Sequence, residues 1–223
     1  EASLSSRLCV VSTALLTDHY ELTMVDAARA SGRGERNAVF EVFARHLPAG
    51  RRYGVVAGTH RLIDAIQEFR FGPEELAFLA EHAIVSPDTL EWLGSYRFSG
   101  TIRGYAEGEL YFPGSPILSV EGTFQEAVLL ETLILSVLNY DCAVASAASR
   151  MVRAAESRPL IEMGARRANA RSAVAAARAA YIAGFDDTSN LEAGRTYGIP
   201  TKGTAAHSFT LVHDSEEEAF RAQ

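Results

Sequence analysis

Three times in the last third of the chain a short apolar run leads into a small polar loop and then into a helical pattern. The runs are LIEMG at 160–164 ahead of an Ala-rich helix at 167–182, GFDDTSN at 184–190 ahead of a helix at 189–197, and GIPTKGT at 198–204 ahead of a helical start at 206. Strand, loop and helix at this spacing make βα units, whose crossover helices keep successive strands parallel. Parallel strands end at one common edge, and the loops leaving that edge are where such folds build sites. This recurrence constrains the chain more than any other feature of it.

The N-terminal part has a different texture. TDHYELTMVDAARASG (17–32) opens a helix over about 17–31: Asp18 can cap, Glu21 three residues on completes a capping box, and Gly32 supplies the stop. Leu22, Val25 and Ala28 share one face, while Tyr20 and Met24 lie four apart on a neighbouring one. NAVFEVFARHL (37–47) alternates Phe40, Val42 and Ala44 against Glu41, Phe43 and Arg45, the period of a strand, and YGVVAG continues as a second strand after the PAGRR turn. Helices are expected at about 59–70, 73–83 and 87–93, and several short antiparallel strands across the Gly- and Pro-punctuated 98–124. Long Ala/Leu helices then follow at roughly 124–139 and 142–157. The reading is therefore an α/β protein with an α+β N-terminal domain over 1–123 and a parallel α/β domain over 124–223.

Composition removes several function classes. The 223 residues carry 28 acidic and 21 basic side chains, a formal charge of −7, which argues against general nucleic-acid or anionic-membrane binding. The longest apolar run, AVLLETLILSVL at 127–138, contains Glu131 and is too short to span a bilayer; no secretory signal pattern opens the chain. Cys9 and Cys142 stand in no metal-ligand or disulfide-framework spacing and read as reduced thiols of a cytoplasmic protein.

Candidate chemistry gathers at the three loop ends: Arg166 and Arg167, then Thr188 and Ser189, then His207. Two arginines, hydroxyls at a helix start and a histidine suit phosphate and other anions. Each also has a plainer role. The arginines can be solvated, Thr188 or Ser189 can cap the following helix, and His207 can be a core histidine. Asp186 and Asp187 are adjacent, so on a strand they point to opposite faces. The residues by themselves reach a phosphate-handling α/β enzyme.

The runs TDHYELTM, FEVFARHLPAGRRYGVVAG, IEMGARRA, GFDDTSN and GTAAHSF, in this order and spacing, resemble the N-terminal half of bacterial nicotinate phosphoribosyltransferases. The resemblance implies an N-terminal α/β domain and an irregular (β/α) barrel of the type II phosphoribosyltransferase kind, assembled as a homodimer with shared sites. Closing such a barrel takes about 250 residues, so a C-terminal half is expected beyond Gln223. The implied reaction joins nicotinate to phosphoribosyl pyrophosphate, giving nicotinate mononucleotide and pyrophosphate in NAD salvage. ATP hydrolysis, with Mg²⁺, is coupled through a phosphorylated histidine, which the motif places at His207.

The same resemblance makes Arg166 the expected phosphate contact, with Arg167 beside it, and sets Tyr20 over a pyridine ring bound in the other subunit. Met163 stands where nicotinamide-using relatives carry an aromatic, and Ser189 where they carry an aspartate. A hydroxyl at 189 favours a carboxylate ligand, and Asp187 is expected to face away from the ring. Two alternatives remain at this stage: a quinolinate phosphoribosyltransferase, against which GTAAHSF weighs, and a non-catalytic dimerising module.

Overall fold

The computed structural model describes residues 12–223, so Cys9 lies outside the described residues. Contacts divide the chain into two compact units, Glu1–Ala147 and Ala148–Gln223. The division falls within a long helix, beyond the change of texture at 124.

In the first unit, helix α1 (His19–Ala30) begins as the capping box requires: the Glu21 carboxylate accepts the Asp18 N–H at 3.3 Å. Strand β1 (Asn37–Val42) pairs antiparallel with β5 (Leu118–Thr123), which pairs on its other side with β3 (Thr101–Gly104). Phe40 sits opposite Val120, and Phe40, Val42 and Ala44 all pack on the core, the face that the alternation assigns them. Two-residue strands β2 (Gly54–Val55) and β4 (Leu110–Tyr111) form a separate pair. Gly54 is required there, because a Cβ would lie 2.0 Å from the Tyr111 ring. Helices α2 (Thr59–Gln67), α3 (Pro73–Glu81) and α4 (Pro87–Ser95) surround edge-to-face contacts of Phe69, Phe71, Trp92 and Tyr96.

The expected pair of helices at 124–139 and 142–157 divides elsewhere. Helix α5 (Phe124–Val128) is short, and α6 (Glu131–Ala155) runs unbroken through Asp141. The break at 129–130 has a cause outside the segment: the fully buried Glu21 carboxylate accepts both the Thr132 N–H at 2.9 Å and its hydroxyl at 2.7 Å, as a side-chain cap would. No break occurs near 140 because Asp141 is satisfied within the fold, taking Arg61 Nε at 2.9 Å and Nη2 at 3.0 Å. The continuous helix is long and apolar enough to cross a membrane by length and composition alone, with a best-window mean hydropathy of 1.3, but half of that window is buried inside the protein. That length replaces the shorter apolar segment expected from 127–138. Cys142, buried on the same helix, exchanges weak hydrogen bonds with the Ala57 backbone, and burial pushes its thiol up to about 11.

The second unit holds β6 (Ile161–Glu162), α7 (Ala170–Ile182), β7 (Asp187–Thr188), α8 (Leu191–Tyr197), α9 (His207–Leu211) and α10 (Glu216–Ala222). Strands β6 and β7 are parallel, and Thr188 makes a further parallel bridge to Thr201, the βα order that the recurrence anticipates. Its core is small-residue packing of Ala177 and Ala193 against Ile199, Val174 and Tyr197.

Burial raises the Glu21 carboxyl above its ordinary 4.5. The folded state then holds this proton more tightly than the unfolded chain does, so the group's contribution is full below the unfolded value and is lost as pH rises through the folded one. In urea titrations across a pH series, the stability of the wild type relative to Glu21→Gln should therefore decline as pH rises above 4.5; a difference that is flat with pH refutes it. Glu21→Ala should cost about 1–3 kcal/mol by leaving buried donors unpaired.

Candidate active site

Parallel pairing sets Ile161 beside Asp187 and Glu162 beside Thr188, with Thr201 on the far side of Thr188. The chain therefore leaves all three positions at one edge. The loops that follow carry Arg166 and Arg167, Ser189, and the approach to His207.

Glu162 ties this edge together. One carboxylate oxygen accepts the Thr188 hydroxyl at 2.9 Å and the other the Gly164 N–H, while its backbone carbonyl accepts the Ser189 N–H at 2.8 Å. Thr188 is fully buried, and its oxygen also accepts the Asn190 N–H at 3.0 Å. Its single proton is thus spent on Glu162, and the residue anchors the loop. Ser189 differs. It is half-buried, its backbone is fixed, and its hydroxyl has no partner among the described residues.

Arg166 and Arg167 lie in a 3-10 turn, Gly164–Arg167, rather than opening the following helix. Asn169 caps α7 instead, accepting the Arg171 N–H at 3.1 Å, so the helix starts after the arginines. Both guanidinium groups are exposed and have no acidic partner among the described residues, and Met163 beside them is 45% exposed. The cap of α8 is likewise Asn190, which accepts the Ala193 N–H at 3.0 Å; neither Thr188 nor Ser189 serves there. His207 is exposed at the first position of α9, and its ring makes no hydrogen bond among the described residues.

The acidic residues nearby are all engaged. Asp186 accepts the Leu160 N–H at 2.7 Å, and the buried Asp187 takes Lys202 Nζ at 2.8 Å, so the two carboxylates diverge as strand alternation demands. Asp187 holds the Lys202 ammonium above its ordinary value. Glu162 is not distinctive in the sequence, whereas Lys202 is its one lysine, and neither was a candidate site residue. Each also has a signal in its position, one at a strand end and the other three residues after Ile199.

In the first unit Tyr20 and Met24 are exposed beside the buried Leu22 and Val25, as the helical pattern indicates. The Tyr20 hydroxyl donates to Glu131 Oε1 at 3.1 Å. A cleft of about 480 Å³ opens nearby in the same unit, with Leu138 and Cys142 in its walls and Arg45, His46 and Arg51 among its polar lining. The basic residues in and before the PAGRR turn were the available signal for it; the segment was expected to form a strand and a turn and carries part of the family resemblance, but none of its residues was a candidate site residue.

An α/β fold with an anion-ready loop edge defines a broad class of phosphate-handling proteins. Comparison with known proteins narrows it: residues 15–139 match the N-terminal domain of nicotinate phosphoribosyltransferase, and the chain belongs to that family. It is 60% identical over 217 residues to nicotinate phosphoribosyltransferase pncB1 of Mycobacterium tuberculosis, covering 94% of this chain and 48% of that protein. The nicotinate phosphoribosyltransferase of Bacillus subtilis is 36% identical, with 94% and 43% covered. The chain thus spans about half the length of the curated relatives it matches. The crystal structure of human nicotinic acid phosphoribosyltransferase superposes with a TM-score of 0.81 at 35% identity, over 88% of this chain and 40% of that one. A nicotinate-nucleotide pyrophosphorylase from Pyrococcus furiosus, at 20% identity and a TM-score of 0.76, shares the fold.

If Thr188 anchors the loop, Thr188→Val should preserve volume yet free the Asn190 amide and one Glu162 oxygen. Destabilisation of about 1–3 kcal/mol is expected, with faster hydrogen exchange at Asn190. Unchanged exchange there would show that the anchor lies elsewhere.

Proposed function

We propose that the protein of which this chain forms the N-terminal part is a nicotinate phosphoribosyltransferase. The observation that carries the reading is the 60% identity, across nearly the whole chain, to a relative of that name. The unpaired Arg166 and Arg167 at the shared loop edge support it, as does the free Ser189 hydroxyl. In this reading the arginines take phosphate oxygens of phosphoribosyl pyrophosphate, where exposed guanidinium groups without an acidic partner are ready for an anion. Ser189 donates to the nicotinate carboxylate, a role that a carboxylate at 189 would oppose.

The pyridine nitrogen attacks the ribose carbon as its bond to pyrophosphate breaks, and the electron pair departs on pyrophosphate. Positive charge develops at that carbon, so alignment and charge neutralisation are what a protein can supply. In this reading the parallel β6–β7–Thr201 edge belongs to a (β/α) barrel.

ATP coupling belongs to the same proposal. An imidazole nitrogen of His207 attacks the γ-phosphorus and ADP leaves; an exposed ring free of internal hydrogen bonds supports this role. Among the described residues no cluster of three or more metal-ligating side chains forms. Mg²⁺ would come on phosphate oxygens, the usual mode for this ion, and there it would offset phosphate charge.

The homodimer is supported by apolar side chains left open on the first unit. Val39 is 64% exposed, and Phe43, Leu135 and Tyr20 are each near 45%. Tyr20 then lies over a ring bound in the partner, as an aromatic platform.

The test is pyrophosphate release from phosphoribosyl pyrophosphate by the full-length protein, with nicotinate, nicotinamide or quinolinate. Release with nicotinate alone is expected, and release only with quinolinate, or none, overturns the assignment. Arg166→Ala should raise the KM for phosphoribosyl pyrophosphate at least about tenfold, equivalent to the loss of one charge-assisted contact. Incubation with γ-labelled ATP should give an acid-labile label absent from His207→Ala; equal labelling of the variant refutes the phosphohistidine.

A further inference from the structure

Tyr20 is exposed yet held. It stands on the first turn of α1, is 44% exposed, and its hydroxyl donates to Glu131 Oε1 at 3.1 Å. Glu131 is the first residue of α6, and its neighbour Thr132 is gripped by Glu21, the residue that follows Tyr20. Two consecutive residues of α1 thus meet two consecutive residues of α6. The Glu21–Thr132 contact is buried and fixes the crossing of the helices, whereas the Tyr20–Glu131 contact is at the surface and contributes little to stability. A second cleft, of about 300 Å³, begins at this point, with Glu131, Leu135, Phe43 and Arg45 in its walls.

An exposed tyrosine on a helix ordinarily samples several rotamers, and ordering one costs entropy that a binding partner would otherwise have to supply. Glu131 removes that freedom before any ligand arrives. We propose that Glu131 is a positioning residue, which through its hydrogen bond to the Tyr20 hydroxyl holds the ring in the orientation that receives the pyridine. This inference rests on the reading of Tyr20 as the aromatic platform for nicotinate. An acceptor at 131 is what the role needs; the negative charge is incidental. The charge nevertheless leaves a mark on Tyr20, whose hydroxyl is raised above its ordinary value of 10.0 by burial and then by Glu131, with Glu21 adding to the effect and the Thr132 hydroxyl opposing it.

The acceptor and the charge can be separated in the full-length protein. Glu131→Ala should raise the KM for nicotinate about three- to tenfold, the loss of one ordering contact, with kcat and the KM for phosphoribosyl pyrophosphate unchanged. Glu131→Gln, which keeps an acceptor oxygen, should restore the nicotinate KM while lowering the Tyr20 hydroxyl pKa, followed by carbon-13 resonances of labelled tyrosine. Tyr20→Phe should match Glu131→Ala, and the double variant should be no worse than either single one.

Equal nicotinate KM for wild type and Glu131→Ala, additive losses in the double variant, or a fall in kcat together with a rise in both KM values would overturn the positioning role. A wild type that shows no nicotinate-dependent turnover overturns the assignment of function itself, an outcome distinct from an active wild type indifferent to residue 131.

Discussion

The buried carboxylate of Glu21 sets the frame of the first unit. An ionisable group without solvent exposure is tolerated only when its oxygens are met by donors, and here they come from Asp18 at the start of its own helix and from Thr132, 111 residues on from Glu21. The Asp18 N–H closes the capping box, and the N–H and hydroxyl of Thr132 bring in the start of α6. One side chain thereby starts one helix, starts another and fixes their crossing. The exposed side chains on either side inherit that geometry, which is why Tyr20 and Glu131 come within hydrogen-bonding distance at all.

Further along α6 the same logic is repeated with weaker groups. Ser146 Oγ accepts the Val55 N–H at 2.8 Å, Cys142 exchanges contacts with Ala57, and Asp141 binds Arg61. The helix thus satisfies backbone groups in β2 and just beyond it, which would otherwise be buried donors without partners. Gly58 completes the fit. Its φ of +96° suits glycine, and a Cβ there would come within 2.8 Å of Asp141. On the buried side of this helix, Asp141, Cys142 and Ser146 each have a partner inside the fold.

What the sequence discloses follows the range of the interaction involved. The capping box at Asp18 and Glu21 and the alternating faces of β1 are local patterns, and both are found where the residues put them. The helix break at 129–130 is not local, since its cause is Glu21, and no breaker residue marks it. At α7 and α8 the choice among neighbouring cap formers goes to Asn169 and Asn190, which moves Arg166 and Arg167 out of the helix and leaves Ser189 free. The site edge was legible through its loops. The role of Glu162 in binding them was not, because a glutamate at a strand end looks like any solvated residue until its partners are placed.

The unpaired arginines of the second unit have to be understood against a chain with more acids than bases. A guanidinium beside free carboxylates would pair with them, and an incoming anion would then have to compete for it. Here each nearby acid has other business: Glu162 holds Gly164 and Thr188, Asp186 holds Leu160, Asp187 holds Lys202, and Glu192 holds Arg195. These contacts hold the carboxylates on the strands and loops and leave Arg166 and Arg167 without an acidic partner among the described residues. The two adjacent aspartates are likewise spent on the strand and loop that carry this edge, Asp186 on the Leu160 N–H and Asp187 on Lys202. Removing Lys202 would leave the buried Asp187 carboxylate without its ion-pair partner, a cost that falls on the strand carrying this edge.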